Sequence, residues 1–157
     1  MSDRPLNYTT RIPAKRTVQE CLSLLAEAGA DAVAAQYRDK QPVGLSFRID
    51  TPAGPRDFTL PVNVAGVRKM LTAQYAAGQL RGGRSEAAWT GTEHAANVAW
   101  RVVKDWVEAQ MAIIAAEMAT LDQVMLPYLQ VGDGRTLYGA YLESGGARAA
   151  LEVAAHD

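Results

Sequence analysis

Residues 44–63, GLSFRIDTPAGPRDFTLPVN, alternate apolar and polar side chains on both sides of a Pro/Gly turn. Leu45, Phe47 and Ile49 fall on one face of the first run, and Phe58 and Leu60 on one face of the second, so the stretch predicts a β-hairpin with a core face. Its other face carries Ser46, Arg48, Asp50, Asp57 and Thr59, which either bind something or meet water.

Upstream, Val33, Ala35 and Tyr37 share a face of a further strand, joined to the hairpin through RDKQPVG. Short linkers make an antiparallel meander the simplest assembly. A sheet with one apolar face needs a helical layer to cover it. TVQE (Thr17–Glu20) has the form of a capping box, Val18, Leu22, Leu25 and Ala26 follow at helical spacing, and Gly29 closes that helix. Asn63 is a good N-cap for a second helix through Val64, Val67, Met70, Leu71 and Gln74, ending near Gly78. Thr90 and Glu93 suggest another capping box, at the head of a helix of seven or eight turns. Its apolar stripe includes Ala99, Val102, Val103, Trp106, Ile113, Ile114 and Met118. Arg101 with Asp105, and Lys104 with Glu108, sit at i,i+4 on its flank. Trp100 lies roughly 120–140° from Trp106 around the axis, so the helix has two apolar faces and belongs in the centre of the fold or at a homo-oligomer interface. TLDQ (Thr120–Gln123) opens a short helix towards Pro127. A GDG turn, then RTLYGAYLE as helix or strand, then an SGG breaker and a loose end complete the chain.

The expected fold class is therefore α+β: an antiparallel meander of about three strands packed against helices, with a long C-terminal helix. One domain spans 1–157. It divides into an arm (1–16), a helix with the meander (17–62), a helical part (63–127) holding a glycine-rich mobile loop (78–91), and a tail (128–157).

Composition excludes several classes. With 48% hydrophobic and 21% charged residues the chain is neither disordered nor membrane-like. No apolar run reaches the roughly 20 residues of a bilayer span. The first residues lack the apolar stretch of a secretory signal, and the single Cys21 allows neither an internal disulfide nor a cysteine zinc cluster. A reducing cytoplasm is the expected setting. His94 and His156 are far apart, Asp105 and Glu108 already have cationic neighbours, and no nucleophile–base set or phosphate-loop motif is present. A non-enzymatic protein with no cofactor and no metal is expected.

Charge supplies the positive lead. Residues 1–84 hold 12 Lys/Arg against 7 Asp/Glu, and residues 85–157 hold 4 against 10. The basic half either favours a phosphate-bearing partner or pairs with the acidic half, in the same chain or in a second copy. Arg38, Lys40, Arg48, Arg56, Arg68 and Lys69 come from adjacent strands, turns and a helix. Arg81 and Arg84 lie near Trp89, an aromatic platform for a base, and Tyr37 is a second platform; Lys15 and Arg16 could join them. Asp50 and Asp57 would cancel part of that field.

RIPAKRTVQECLSLLAEAGA, PVGLSFRIDTPAGPRDFTLPVNVAGV and VAWRVVKDWVEAQMAIIAAEMATLDQVMLPYL resemble a family of small uncharacterised phage and prophage proteins, over roughly residues 11–142. That resemblance implies the cytoplasm of a bacterial host and the handling of DNA or of a host component. The helix–three strands–helix order is also similar in topology to the core of phage single-strand annealing proteins. The leading expectation is a non-enzymatic phage-type protein binding a phosphate-bearing ligand, single-stranded nucleic acid first. The alternatives are an anti-defence protein that sequesters a nucleotide signal and an inhibitor of a host protein.

Overall fold

The computed structural model describes residues 6–145. The start of the arm (1–5) and the end of the tail (146–157, with His156) lie outside the described residues. The fold is α+β, as the hairpin and its neighbours predict.

Helix α1 (Ala14–Glu27) leads into strands β1 (Ala32–Arg38), β2 (Gln41–Thr51) and β3 (Gly54–Pro61), which form one antiparallel sheet in the order β1-β2-β3. The β2–β3 register places Phe47 opposite Phe58 and Leu45 opposite Leu60. The two phenyl rings stack at 5.3 Å, and with Ile49 they build the apolar face. Between β1 and β2 the register shifts at Gln36/Tyr37. The extra residue there is Val43 of β2, and Tyr37, opposite Pro42 near the end of β1, is largely exposed.

Helix α2 (Val64–Ala76) follows, capped by the Asn63 side chain, which accepts from the Gly66 amide. A short α3 (Glu86–Thr90) precedes the long α4 (Thr92–Ala115). Helix α4 is the central element. Along one side it packs with α1 and the sheet through Ala96, Ala99, Trp100 and Val107. Along another it meets α2 through Ala95 and Val98 against Leu71. Trp100 is fully buried and its indole N–H donates to the Pro42 carbonyl at 3.0 Å, so the second apolar face is used within the chain. Trp106 is half-buried, edge-on to Tyr128.

The chain ends with α5 (Leu121–Met125), a 3₁₀ turn at Leu126–Tyr128, a small hairpin of β4 (Gln130–Gly132) and β5 (Arg135–Thr136), and α6 (Leu137–Glu143). RTLYGAYLE is thus strand first and helix after. The Thr120/Gln123 capping box is present in full. Leu129 bridges to Phe58, which covers part of the free edge of β3. Among the described residues no helix is long and apolar enough to cross a membrane.

Two caps and one ion pair differ from expectation. Helix α1 begins at Ala14, with Pro13 as N-cap, so Thr17 lies a turn inside it and is buried. Proline suits a helix start because its fixed φ is already near helical and it has no N–H to leave unpaired. Asn97, from α4, accepts the Ala14 amide at 2.8 Å and takes the capping role. Thr90 ends α3, its hydroxyl donating back to the Glu86 carbonyl, and Gly91 caps α4. A side chain at 91 would bring Cβ within 2.8 Å of the Ala87 carbonyl oxygen, so the close α3–α4 junction requires glycine. Arg101 pairs across to Glu20 at 2.5 Å, and Asp105 accepts from the Asn7 amide, whereas Lys104 and Glu108 do pair along the helix. Cys21 is buried against α4, and burial pushes its thiol up to about 11, consistent with a packing role.

Candidate functional site

The candidate site is a crevice of about 540 Å³ where the β1–β2 turn faces the starts of α1 and α4. Pro13, Ala14 and Lys15 form one wall, Tyr37, Lys40, Gln41 and Pro42 a second, and Glu93, Ala96 and Asn97 a third. Each wall is fixed by a contact already described. The Asn97 side chain holds the head of α1, and the Trp100 indole holds the start of β2 through Pro42.

The turn itself has an unusual composition. Asp39 and Lys40 both have positive φ, 49° and 65°. A two-residue hairpin turn with both central residues left-handed matches the twist of the flanking strands, and Asn-Gly is its usual sequence. Here the second position carries a lysine, which delivers an ammonium to the rim of the crevice.

The electrostatics favour an anion. Lys15 and Lys40 bring two positive charges against the single carboxylate of Glu93, and neither lysine has an ion pair among the described residues. Helices α1 and α4 both start here; Asn97 already accepts the Ala14 amide of α1, whereas Gly91 offers α4 no side-chain cap. Unpaired amides at a helix start carry partial positive charge and attract phosphate or carboxylate groups. Tyr37, 57% exposed, offers a ring to stack against.

The other basic residues named from the sequence do not gather at this place. Arg48 is on the outer sheet face in a two-pronged pair with Asp57, at 2.8 and 2.9 Å. That hydrogen-bonded pair raises the arginine further above its ordinary value and holds the Asp57 carboxyl below its own. Arg56 sits at the β2–β3 end; its cross-strand partner Ile49 is eight positions beyond Gln41, about 26 Å away at ~3.3 Å per residue. Arg68 on α2 donates to the Thr90 carbonyl, and Lys69 is exposed on the same helix. Arg38 and Arg81 are exposed, with no hydrogen bond or ion pair among the described residues.

Trp89 is not an available platform. It is 2% exposed, stacked on Tyr8 at 5.7 Å and edge-on to His94 at 5.5 Å. Arg84 lies over its indole, 4.8 Å from the centroid, and donates to the Thr9 carbonyl. Within the stretch 78–91, expected to be mobile, Arg84 and Trp89 pack against each other, the N-terminal segment and His94. A stacking site needs an exposed ring, and the packing here removes it.

Of the named residues, only Lys40 lines the crevice. Tyr37 and Lys15, raised as supporting residues, join it, while Glu93, Gln41 and Asn97 carried no sequence signal strong enough to select them. The one available hint was Asn97, a lone amide among Ala95, Ala96, Val98 and Ala99. Among the described residues no group of three or more His, Cys, Asp or Glu side chains is placed to hold a metal ion. Comparison with protein-family models, with curated proteins and with solved structures finds no match.

Proposed function

We propose that this chain is a non-enzymatic binding protein of the phage type it resembles, and that the crevice engages a phosphate-bearing ligand, single-stranded nucleic acid first. One observation carries the reading: two lysines without an ion pair among the described residues and an exposed tyrosine ring converge at the starts of two helices. A phosphate would sit between Lys15 and Lys40 at the head of α1, with the adjoining base on Tyr37. Base stacking on an aromatic side chain tolerates any sequence because every base has a π-face. The expected ligand is therefore an unpaired strand rather than a particular sequence.

Sequestration of a small nucleotide is the second reading, favoured by the size of the crevice, which falls in the ~300–1,000 Å³ range of small-molecule sites. The two separate by length dependence. In an NMR titration, a single-stranded oligonucleotide should shift the Lys15, Tyr37 and Lys40 resonances and bind more tightly than a mononucleotide. Equal affinity for both would favour the second reading. No shift at these residues with either ligand would remove the crevice as the site.

A further inference from the structure

We infer that the cluster of Tyr8, Arg84, Trp89 and His94 is an acid-released clasp that holds one wall of the crevice in place. The inference rests on the binding role proposed for that crevice. His94 lies in the first turn of α4, between Glu93 and Ala96 of one wall, and the segment it grips runs directly into Pro13, Ala14 and Lys15.

The hydrogen bonds fix the ring in one protonation state. His94 Nε2 lies 2.8 Å from the Tyr8 carbonyl oxygen, and a carbonyl only accepts, so Nε2 carries the proton. Nδ1 lies 3.3 Å from Arg84 Nη1, and a guanidinium only donates, so Nδ1 must be bare. The neutral ring thus joins Arg84 to the N-terminal segment. Arg84 completes the loop by donating to the Thr9 carbonyl at 3.1 Å and lying over Trp89.

A second proton on His94 cannot be accommodated. It would set an N–H and a full positive charge against the Arg84 guanidinium at 3.3 Å. Around the ring, the N-terminal segment contributes Tyr8 through its carbonyl and its phenol ring, the 78–85 stretch contributes Arg84, and α3 contributes the indole of Trp89. Helix α2 meets this end of α4 with apolar Val67 and Leu71. Glu93, the neighbouring acid on α4 itself, has no hydrogen bond or ion pair among the described residues. Burial is the largest influence on His94 and lowers its pKa; the Tyr8 carbonyl opposes this and the Arg84 charge adds to it. The clasp is therefore closed at neutral pH. Acid protonates the ring and Arg84 withdraws, so residues 6–13 lose the Arg84–Thr9 hydrogen bond that helps hold them beside the crevice, while Nε2 still donates to Tyr8.

The test uses the full chain and two readouts. Amide hydrogen exchange over residues 6–16 between pH 7.5 and 4.5 reports the clasp, and anisotropy of a fluorescein-labelled ten-nucleotide oligo(dT) reports the crevice. In the wild type, protection of these amides, with the intrinsic slowing of exchange in acid divided out, should fall as His94 titrates, and oligonucleotide affinity should fall about tenfold per pH unit below the transition, following the closed fraction. His94→Gln, which keeps one donor and one acceptor but no titrating proton, should abolish both changes. The same acid response in His94→Gln overturns the clasp. An NMR titration of the His94 ring in the wild type covers the case in which that variant does not fold: its midpoint should coincide with the exchange transition, and a separation of the two overturns the inference. If the exchange transition follows His94 but oligo(dT) does not bind at any pH, the clasp stands and the binding role falls. If oligo(dT) binds without any such transition, the reverse holds.

Discussion

The outer sheet face and the crevice both carry cations, and they use them in opposite ways. On the sheet face Arg48 meets Asp57 directly across the strand pair, Gln36 donates to Ser46, and Gln130 donates to Thr59. The polar groups there largely satisfy one another. In the crevice Lys15 and Lys40 have no ion-pair partner among the described residues, and two helix starts add to their field. A count of arginines along the chain therefore misleads, because cross-strand neighbours cancel charge that the sequence presents as free.

The sharpest way to break this contrast is to remove the crevice charge. Lys15→Gln with Lys40→Gln should weaken single-stranded DNA binding about 100-fold, from two charge-assisted contacts of roughly 1.5 kcal/mol each. Tyr37→Ala should cost about tenfold, the low end of one stacked base. Equilibrium binding on folded protein checks both. Asn97→Ala leaves the Ala14 amide without its partner and should lower stability by about 1 kcal/mol in urea unfolding, with a modest loss of affinity as the head of α1 loosens. Arg48→Ala should change affinity less than twofold, since Asp57 already occupies that guanidinium.

Acid separates the regions again. A histidine whose folded pKa is depressed contributes stability that is present above its unfolded value of ~6.5 and is lost as pH falls through the folded value. The wild-type melting temperature should thus decline below about pH 6.5, and His94→Gln should remove that part of the decline.

Much of the fold was legible because its signals are local. The hairpin at 44–63, the Asn63 cap and the Thr120/Gln123 box depend on residues a few positions apart. Of the α4 stripe read from the sequence only Ala99 is fully buried; the helix buries Ala95, Ala96, Val98, Trp100 and Val107 instead, and Met118 lies exposed past its end. The Thr17 and Thr90 boxes have the same local form, yet a long-range partner overrides the first and the neighbouring helix α3 the second. Asn97 comes from 83 positions away to receive the Ala14 amide, and the tight α3–α4 junction selects Gly91. Trp89 followed the same rule: its glycine-rich neighbours suggest exposure, but Tyr8 and His94 enclose it. Of the site, sequence supplied Lys40, Tyr37 and Lys15 as ingredients. Their meeting depends on the register shift at Gln36/Tyr37, where Gly44 stands opposite Gln36, and on the left-handed turn at Asp39–Lys40, which has no glycine to announce it.

The most direct test of the crevice is the salt dependence of single-stranded DNA binding, measured by fluorescence anisotropy for the wild type, Lys15→Gln/Lys40→Gln and Arg48→Ala. Each phosphate contact on a single strand contributes about 0.7 to the slope of log affinity against log salt. Loss of two contacts should flatten the slope by about 1.4 in the lysine variant, while Arg48→Ala keeps the wild-type slope. A slope that is unchanged without the two lysines, or that flattens on loss of Arg48, would contradict the account.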